Sequence, residues 1–135
     1  MSRAAIYTVN EYSQTVAEDG IINLGTIVRK FGCNLNLAGT GIQIMGPGYY
    51  RFDSSITLAP DAAGNVTVTA YLDNVPVQGA VATAEATAAG DILNLDLDFI
   101  IRQSCSCCEG LSNLVFKISE NAADVSNIAI VGEKL

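Results

Sequence analysis

The sequence predicts an all-β antiparallel sandwich, and three observations carry that prediction. Apolar and polar residues alternate along much of the 135-residue chain, most plainly in Asp91–Ile101 (DILNLDLDFII), the period of a strand with one buried face. Gly, Asn and Pro punctuate these runs at short intervals, as turns between strands do. The apolar half of the composition is mostly Ala, Val, Ile and Leu, with no Trp, and β-branched residues favour pleated, half-buried surfaces.

Residues 4–9 and 12–17 alternate weakly, and Glu18-Asp19-Gly20 reads as a turn. A strand is expected from Ile21 to Arg29, passing through Gly25. Cys33, Leu35 and Leu37 then alternate with Asn34 and Asn36, and Ile42 and Ile44 repeat the pattern after the Gly39 and Gly41 turn. Gly46-Pro47-Gly48 breaks the chain before a long strand, 49–60, which Pro60 ends. In the next strand Val66, Val68, Ala70 and Leu72 share one face, opposite Thr67, Thr69 and Tyr71. Asp73-Asn74 reads as a hairpin, because Asn tolerates the positive φ of a tight primed turn. Pro76 lacks the N–H a central strand needs, so its segment is an edge or a turn. The tract 79–91 has the Ala content of a helix. Its alternation of Val81, Thr83, Glu85 and Thr87 with Ala82, Ala84, Ala86 and Ala88 favours a strand whose alanine side meets a close neighbour. Leu93, Leu95, Leu97 and Phe99 define another strand, and 114–119 and 125–135 supply the last two, for about eight to ten strands in all. No linker interrupts them. One domain over 1–135 is expected, with 1–30 as N-terminal strands or an arm and 31–135 as the sandwich.

Composition narrows the function. There is no histidine, which removes the side chain that most readily moves protons near neutral pH, and with it Ser-His and Cys-His nucleophile pairs. A net charge of −7 offers no footprint for a phosphate backbone, so nucleic acid is not an expected partner. No run of about 20 apolar residues exists to cross a membrane as a helix. The opening MSRAAIYTVN lacks the apolar stretch of a signal peptide, which predicts synthesis in a cytoplasm where thiols stay reduced. Charged residues make up 16% of the chain, against roughly 25% in soluble domains, a deficit that suggests a surface covered by copies or partners.

The order of motifs resembles a known pattern. Gly48, Tyr50 and Phe52 open a long strand; Tyr71-Leu72-Asp73-Asn74 carries a strand into a hairpin; Gly90-Asp91 starts the alternation of Leu93, Leu95 and Leu97; a short apolar strand closes the chain. Over roughly residues 30–135 this succession resembles the C1q/tumour-necrosis-factor jelly roll, a family that also includes phage virion and bacterial exosporium proteins. The resemblance implies a C1q/TNF-like antiparallel jelly-roll β-sandwich forming a tight homotrimer, with aromatic and apolar residues along the threefold axis. Tyr49, Tyr50, Phe52, Leu97, Phe99, Ile128 and Ile130 are the residues expected there. MSRAAIYTVN, RKFGCNLNL and the cysteine cluster also resemble small head-associated (decoration or head-fibre) proteins of tailed phages. Family members with long stalks carry repeats before the jelly roll, and this chain has none, so a capping or decorating trimer is expected rather than a fibre.

Among candidate sites, Cys105, Cys107 and Cys108 lie within four residues, with Cys33 far upstream. Close thiolates bind zinc or softer metals, and the same four residues are disulfide candidates, within the chain or between copies. They also suit packing as reduced, small apolar side chains. No other cofactor is expected. Asp96 and Asp98, near Asn94, are a weaker candidate for Ca²⁺, since any solvent-facing strand side has this spacing. Tyr49, Tyr50 and Phe52 suit a ligand groove, the core or the trimer axis. Gly39-Thr40-Gly41 and Gly46-Pro47-Gly48 precede no helix and read as turns rather than phosphate loops.

The expected function is therefore non-enzymatic: a trimeric decoration or head-fibre protein of a tailed-phage virion that stabilises or caps the capsid surface, with itself and the major capsid protein as partners. The rival reading is a receptor- or glycan-binding trimeric head on a phage, bacterial or spore surface. Glycan sites need exposed aromatics with converging polar groups, and the DAAG, DNVP and TAAGD loops offer neither.

Overall fold

The computed structural model describes residues 3–103 and 111–135. Among them, eleven strands form two antiparallel sheets with no helix. They are β1 (Ala5–Asn10), β2 (Gln14–Val16), β3 (Thr26–Phe31), β4 (Leu35–Ala38), β5 (Gly41–Met45), β6 (Gly48–Pro60), β7 (Gly64–Leu72), β8 (Val75–Ala86), β9 (Leu93–Gln103), β10 (Leu111–Ser119) and β11 (Ala123–Lys134). The larger sheet runs β3-β1-β11-β6-β9, with β2 pairing to β11; the smaller runs β4-β5-β10-β7-β8. The chain crosses repeatedly between sheets, as in a jelly roll.

Period-2 patterning builds this arrangement. In β6 the side chains of Tyr50, Phe52, Ser54, Ile56 and Leu58 point inward, while Tyr49, Arg51, Asp53, Ser55 and Thr57 point out. Its neighbours match it residue for residue: Phe52 lies opposite Phe99 of β9 and Gly132 of β11, and Ile56 opposite Leu95 and Ile128. The smaller sheet answers with Ile42, Ile44, Val66, Val68, Leu114, Phe116 and Ile118, all buried. Phe52 stacks on Phe99 at 5.7 Å between centroids, and Phe99 meets Phe116 of the opposite sheet at 6.2 Å. Three of the four phenylalanines thus join the layers.

The predicted turns form for the expected reasons. Asp73 and Asn74 both take positive φ (51° and 69°), the twist a two-residue hairpin needs. Pro76 sits on β8, the edge of the smaller sheet. The alanine-rich tract is strand through Ala86, and Ala80 and Ala86 face the core. The buried Tyr50 hydroxyl donates to the carbonyls of Met45 and Gly46 at 3.0 and 2.9 Å, pinning the turn into β6. Burial pushes its pKa up, partly offset by a hydrogen bond with Asn34.

The expected strand from Ile21 to Arg29 does not form. Gly25 adopts φ +83°, and Asn23 Oδ1 accepts its N–H at 2.9 Å. The chain turns there and β3 begins only at Thr26, while Ile21 makes a single bridge to Lys117. The segment still contributes to the core through Ile22 and Leu24. The first 30 residues, expected as N-terminal strands or an arm, supply β1, β2 and most of β3 to the larger sheet.

The packing and the loops each lead to a prediction. A Cβ at Gly132 would stand 2.5 Å from the Phe52 ring, so Gly132→Ala should destabilise the fold by about 1–3 kcal/mol, read from urea unfolding. At the β8–β9 turn, Asp91 accepts bonds from the Thr87 hydroxyl and the Thr87 and Ala88 amides. These bonds lower its pKa, the Thr87 hydroxyl most of all. A depressed carboxylate pKa stabilises the loop above the unfolded value, and that contribution disappears as pH falls through the folded one. The Thr87 and Ala88 amide shifts should therefore titrate with a midpoint below that of a free aspartate. A midpoint at or above that value would contradict the bonding.

Candidate functional site

The residues expected at a threefold axis do not share one surface. Tyr50, Phe52, Ile128 and Ile130 are fully buried within a single chain, and Leu97 and Phe99 are 3% and 8% exposed. These six belong to the core of the protomer, because they occupy the inward parity of β6, β9 and β11. Side chains already removed from solvent have no area left to give a neighbouring copy. Only Tyr49, at 53% exposure, points outward. The Arg102 guanidinium lies 5.9 Å from its ring centroid, and the two residues are paired in register.

The opposite parity of the same strands forms a surface that the residue pattern alone did not single out. On the outer face of the larger sheet, Phe31, Tyr7, Val131, Tyr49 and Ile100 are all exposed. Register places Tyr7 beside Val131 and Val131 beside Asp53. A second apolar strip runs along the open edge where β8 and β9 end the two sheets. Val75, Val81 and Ile92 are exposed along it, and Ile100 of the outer face adjoins it. Leu72, Val75, Pro76, Val77, Ile100 and Ile101 line a cleft of about 240 Å³ there, with Arg102 at its side. Part of the signal is local: once Tyr50 and Phe52 are assigned inward, Tyr49 and the other odd-numbered residues of β6 must face out.

Asp96 and Asp98 stand on the outer face as expected, and register adds a third carboxylate, since Asp98 pairs with Asp53 and Asp96 with Ser55. Arg51 approaches Asp53 at 3.4 Å, both half-exposed, a geometry worth little in water. Cys33 is exposed in the turn between β3 and β4, with no disulfide partner among the described residues. The Met45 amide donates to the Asn34 carbonyl, and Met45 pairs with Leu111 at the start of β10. Cys33 therefore lies at the end of the sandwich where the described chain stops at Gln103 and resumes at Leu111. Cys105, Cys107 and Cys108 lie outside the described residues.

The two ends of the strands differ in charge, although Asp53, Asp98 and Glu133 stand among the cations of the basic end. Six of the seven basic residues, Arg3, Arg29, Lys30, Arg51, Arg102 and Lys134, lie level with Tyr49–Asp53 near one end of the larger sheet. The opposite end carries Glu18, Asp19, Asp61, Glu85, Asp91, Glu120 and Asp124, with none of those six cations.

No protein-family profile matches the chain, and no curated protein sequence matches it. Solved structures do. Murine APRIL superposes with a TM-score of 0.68 at 14% identity, covering 99% of this chain and 100% of that one. The vertex protein P5 of phage PRD1 gives 0.59 at 15% identity, covering 98% and 96%. The globular domain of zebrafish complement 1qA gives 0.64 at 9% identity, covering 97% and 95%. At such identities the likeness is one of fold, and it is near-complete: this chain has the jelly-roll fold of the TNF and C1q domains, shared with a phage vertex protein.

Proposed function

We propose that the protein is a non-enzymatic virion component: a homotrimer that decorates or caps the capsid surface of a tailed phage, seated on the major capsid protein. The observation that carries this reading is the pair of unlike surfaces on one low-charge jelly roll: the outer face of the larger sheet, where Tyr7, Tyr49, Ile100 and Val131 stand among Arg51, Asp53, Asp96 and Asp98, and the more apolar β8–β9 edge. A threefold ring joins each copy to the next through two different patches, whereas a twofold dimer needs only one self-complementary patch. Seating the β8–β9 edge of one copy on the outer sheet face of the next would cover both strips. It would also shield two long edge strands that otherwise invite aggregation. The likeness to PRD1 vertex protein P5 supports a place on a virion. In this reading nucleic acid and membrane are not partners, and any staple or structural metal belongs to Cys33 with Cys105, Cys107 and Cys108.

The first test is the native mass of the full chain, with and without reductant and chelator. A threefold mass in every condition supports the packed trimer. A trimer lost on reduction or chelation assigns its cohesion to the cysteines instead, and a stable monomer removes the assembly altogether. Mass spectrometry of purified particles tests the virion role, which fails if the chain is absent from them.

Variants separate interface from core. Val131→Asp places a carboxylate beside Asp53 on the outer face, and should yield a folded monomer whose own stability shifts by no more than about 0.5 kcal/mol. Phe52→Ala removes a fully buried ring and should cost about 3–5 kcal/mol of unfolding free energy.

A further inference from the structure

The loop joining β1 to β2 carries Tyr12, the most exposed large apolar or aromatic side chain among the described residues, at 86% exposure. An isolated exposed tyrosine means little by itself. This one borders a cleft of about 320 Å³ lined by Val9, Asn10, Glu11, Tyr12, Gly25 and Thr26. Side-chain amides tie the two walls of the cleft together. Asn10 Oδ1 accepts the Tyr12 N–H at 3.0 Å, and Asn10 Nδ2 donates to the Asn23 carbonyl at 3.1 Å. Gln14 and Asn23 exchange two bonds, at 2.8 and 2.9 Å, and Asn23 Oδ1 takes the Gly25 N–H. Gly25 is required where it stands. A Cβ there would collide with the Val9 carbonyl and the Asn10 side chain, so the two walls approach as closely as backbone allows. Five hydrogen bonds thus tie the exposed β1–β2 loop to a wall that Ile22 and Leu24 anchor in the core, and a loop ordered in advance loses less entropy when it binds.

The chemistry of the lining selects a class of ligand. Tyr12 offers a flat apolar ring. Asn10 keeps one amide N–H and one acceptor lone pair beyond the bonds it makes, the Thr26 hydroxyl both donates and accepts, and the Glu11 carboxylate accepts only. No lysine or arginine lines the cleft, which disfavours an anion, and one carboxylate is too few for a cation that needs six or more oxygens. An apolar face joined to several hydroxyls is what the set complements. We propose that the β1–β2 cleft binds an uncharged saccharide, one sugar ring stacked on Tyr12 with its hydroxyls bonded to Glu11, Thr26 and Asn10. The site lies within a single protomer, so it stands or falls separately from trimer formation and from the virion role.

The test uses amide chemical shifts of the full-length protein, titrated with maltose, lactose and N,N′-diacetylchitobiose to about 50 mM, and with 3′-sialyllactose as the charged counterpart. The expected result is saturable shifts confined to residues 9–12 and 23–26 with at least one neutral sugar, and a Kd on the order of 1 mM. Tyr12→Ala should weaken this at least roughly tenfold, while Tyr12→Phe, which keeps the ring, stays within about twofold. Because Tyr12 is exposed, the melting temperature of both variants should match the wild type. The proposal is overturned if none of the three neutral sugars moves these amides. It is equally overturned if the shifts survive in Tyr12→Ala, or if the sialylated sugar binds more tightly than the neutral ones.

Discussion

Everything in this fold depends on the side-to-side agreement of inward parity among β6, β9 and β11. Phe52, Phe99 and Gly132 meet at one level of the larger sheet. Phe99 carries the contact across to Phe116. Slipping any of these strands by one residue would turn its whole apolar set toward water. Gly132 leaves the space the Phe52 ring fills, so a single missing side chain keeps the aromatic bridge in register. The hairpin at Asp73-Asn74 and the Tyr50 clasp on the Met45–Gly46 turn hold the smaller sheet in matching register.

Much of this was legible because period-2 patterning is a local signal. The alternation in 91–101 and 64–72 gave β9 and β7 their buried faces, and that of Ala82, Ala84 and Ala86 with Val81, Thr83 and Glu85 marked β8 as a strand, although Ala88 lies exposed beyond its end. Ile21–Arg29 misled for an equally local reason. Its apolar residues do enter the core, but Gly25 and the Asn23 side chain convert an apparent strand into a turn. Gly25 inside the run is the local mark of a segment that packs without pairing.

The candidate surface was less legible, and the cause is parity. Aromatic and apolar residues in β6 and β11 looked equally suited to the core and to an axis between copies. Sequence alone does not say that Tyr50 and Phe52 are consumed by the protomer while Tyr49, Val131 and Ile100 are left outside. The β1–β2 cleft is not legible in the sequence because its parts, Asn10, Tyr12, Asn23 and Gly25, come from two turns that meet only once β1 and β3 pair. A scaffold with a rigid sandwich and short, amide-tied loops can place recognition on its rim without disturbing the sheets.

The separation of charge along the strands has a consequence for encounters. A net charge of −7 describes this protein poorly, because the excess is concentrated at one end and the cations at the other. Such a molecule is an electric dipole aligned with its strands, and a charged partner exerts a torque on it before contact. A partner of negative charge would draw the Arg51–Arg102 end forward, and two copies meeting by their carboxylate-rich ends would repel. Added salt would weaken this orientation over a range of about 10 Å at 0.1 M ionic strength, slowing arrival while leaving the apolar contacts nearly as strong.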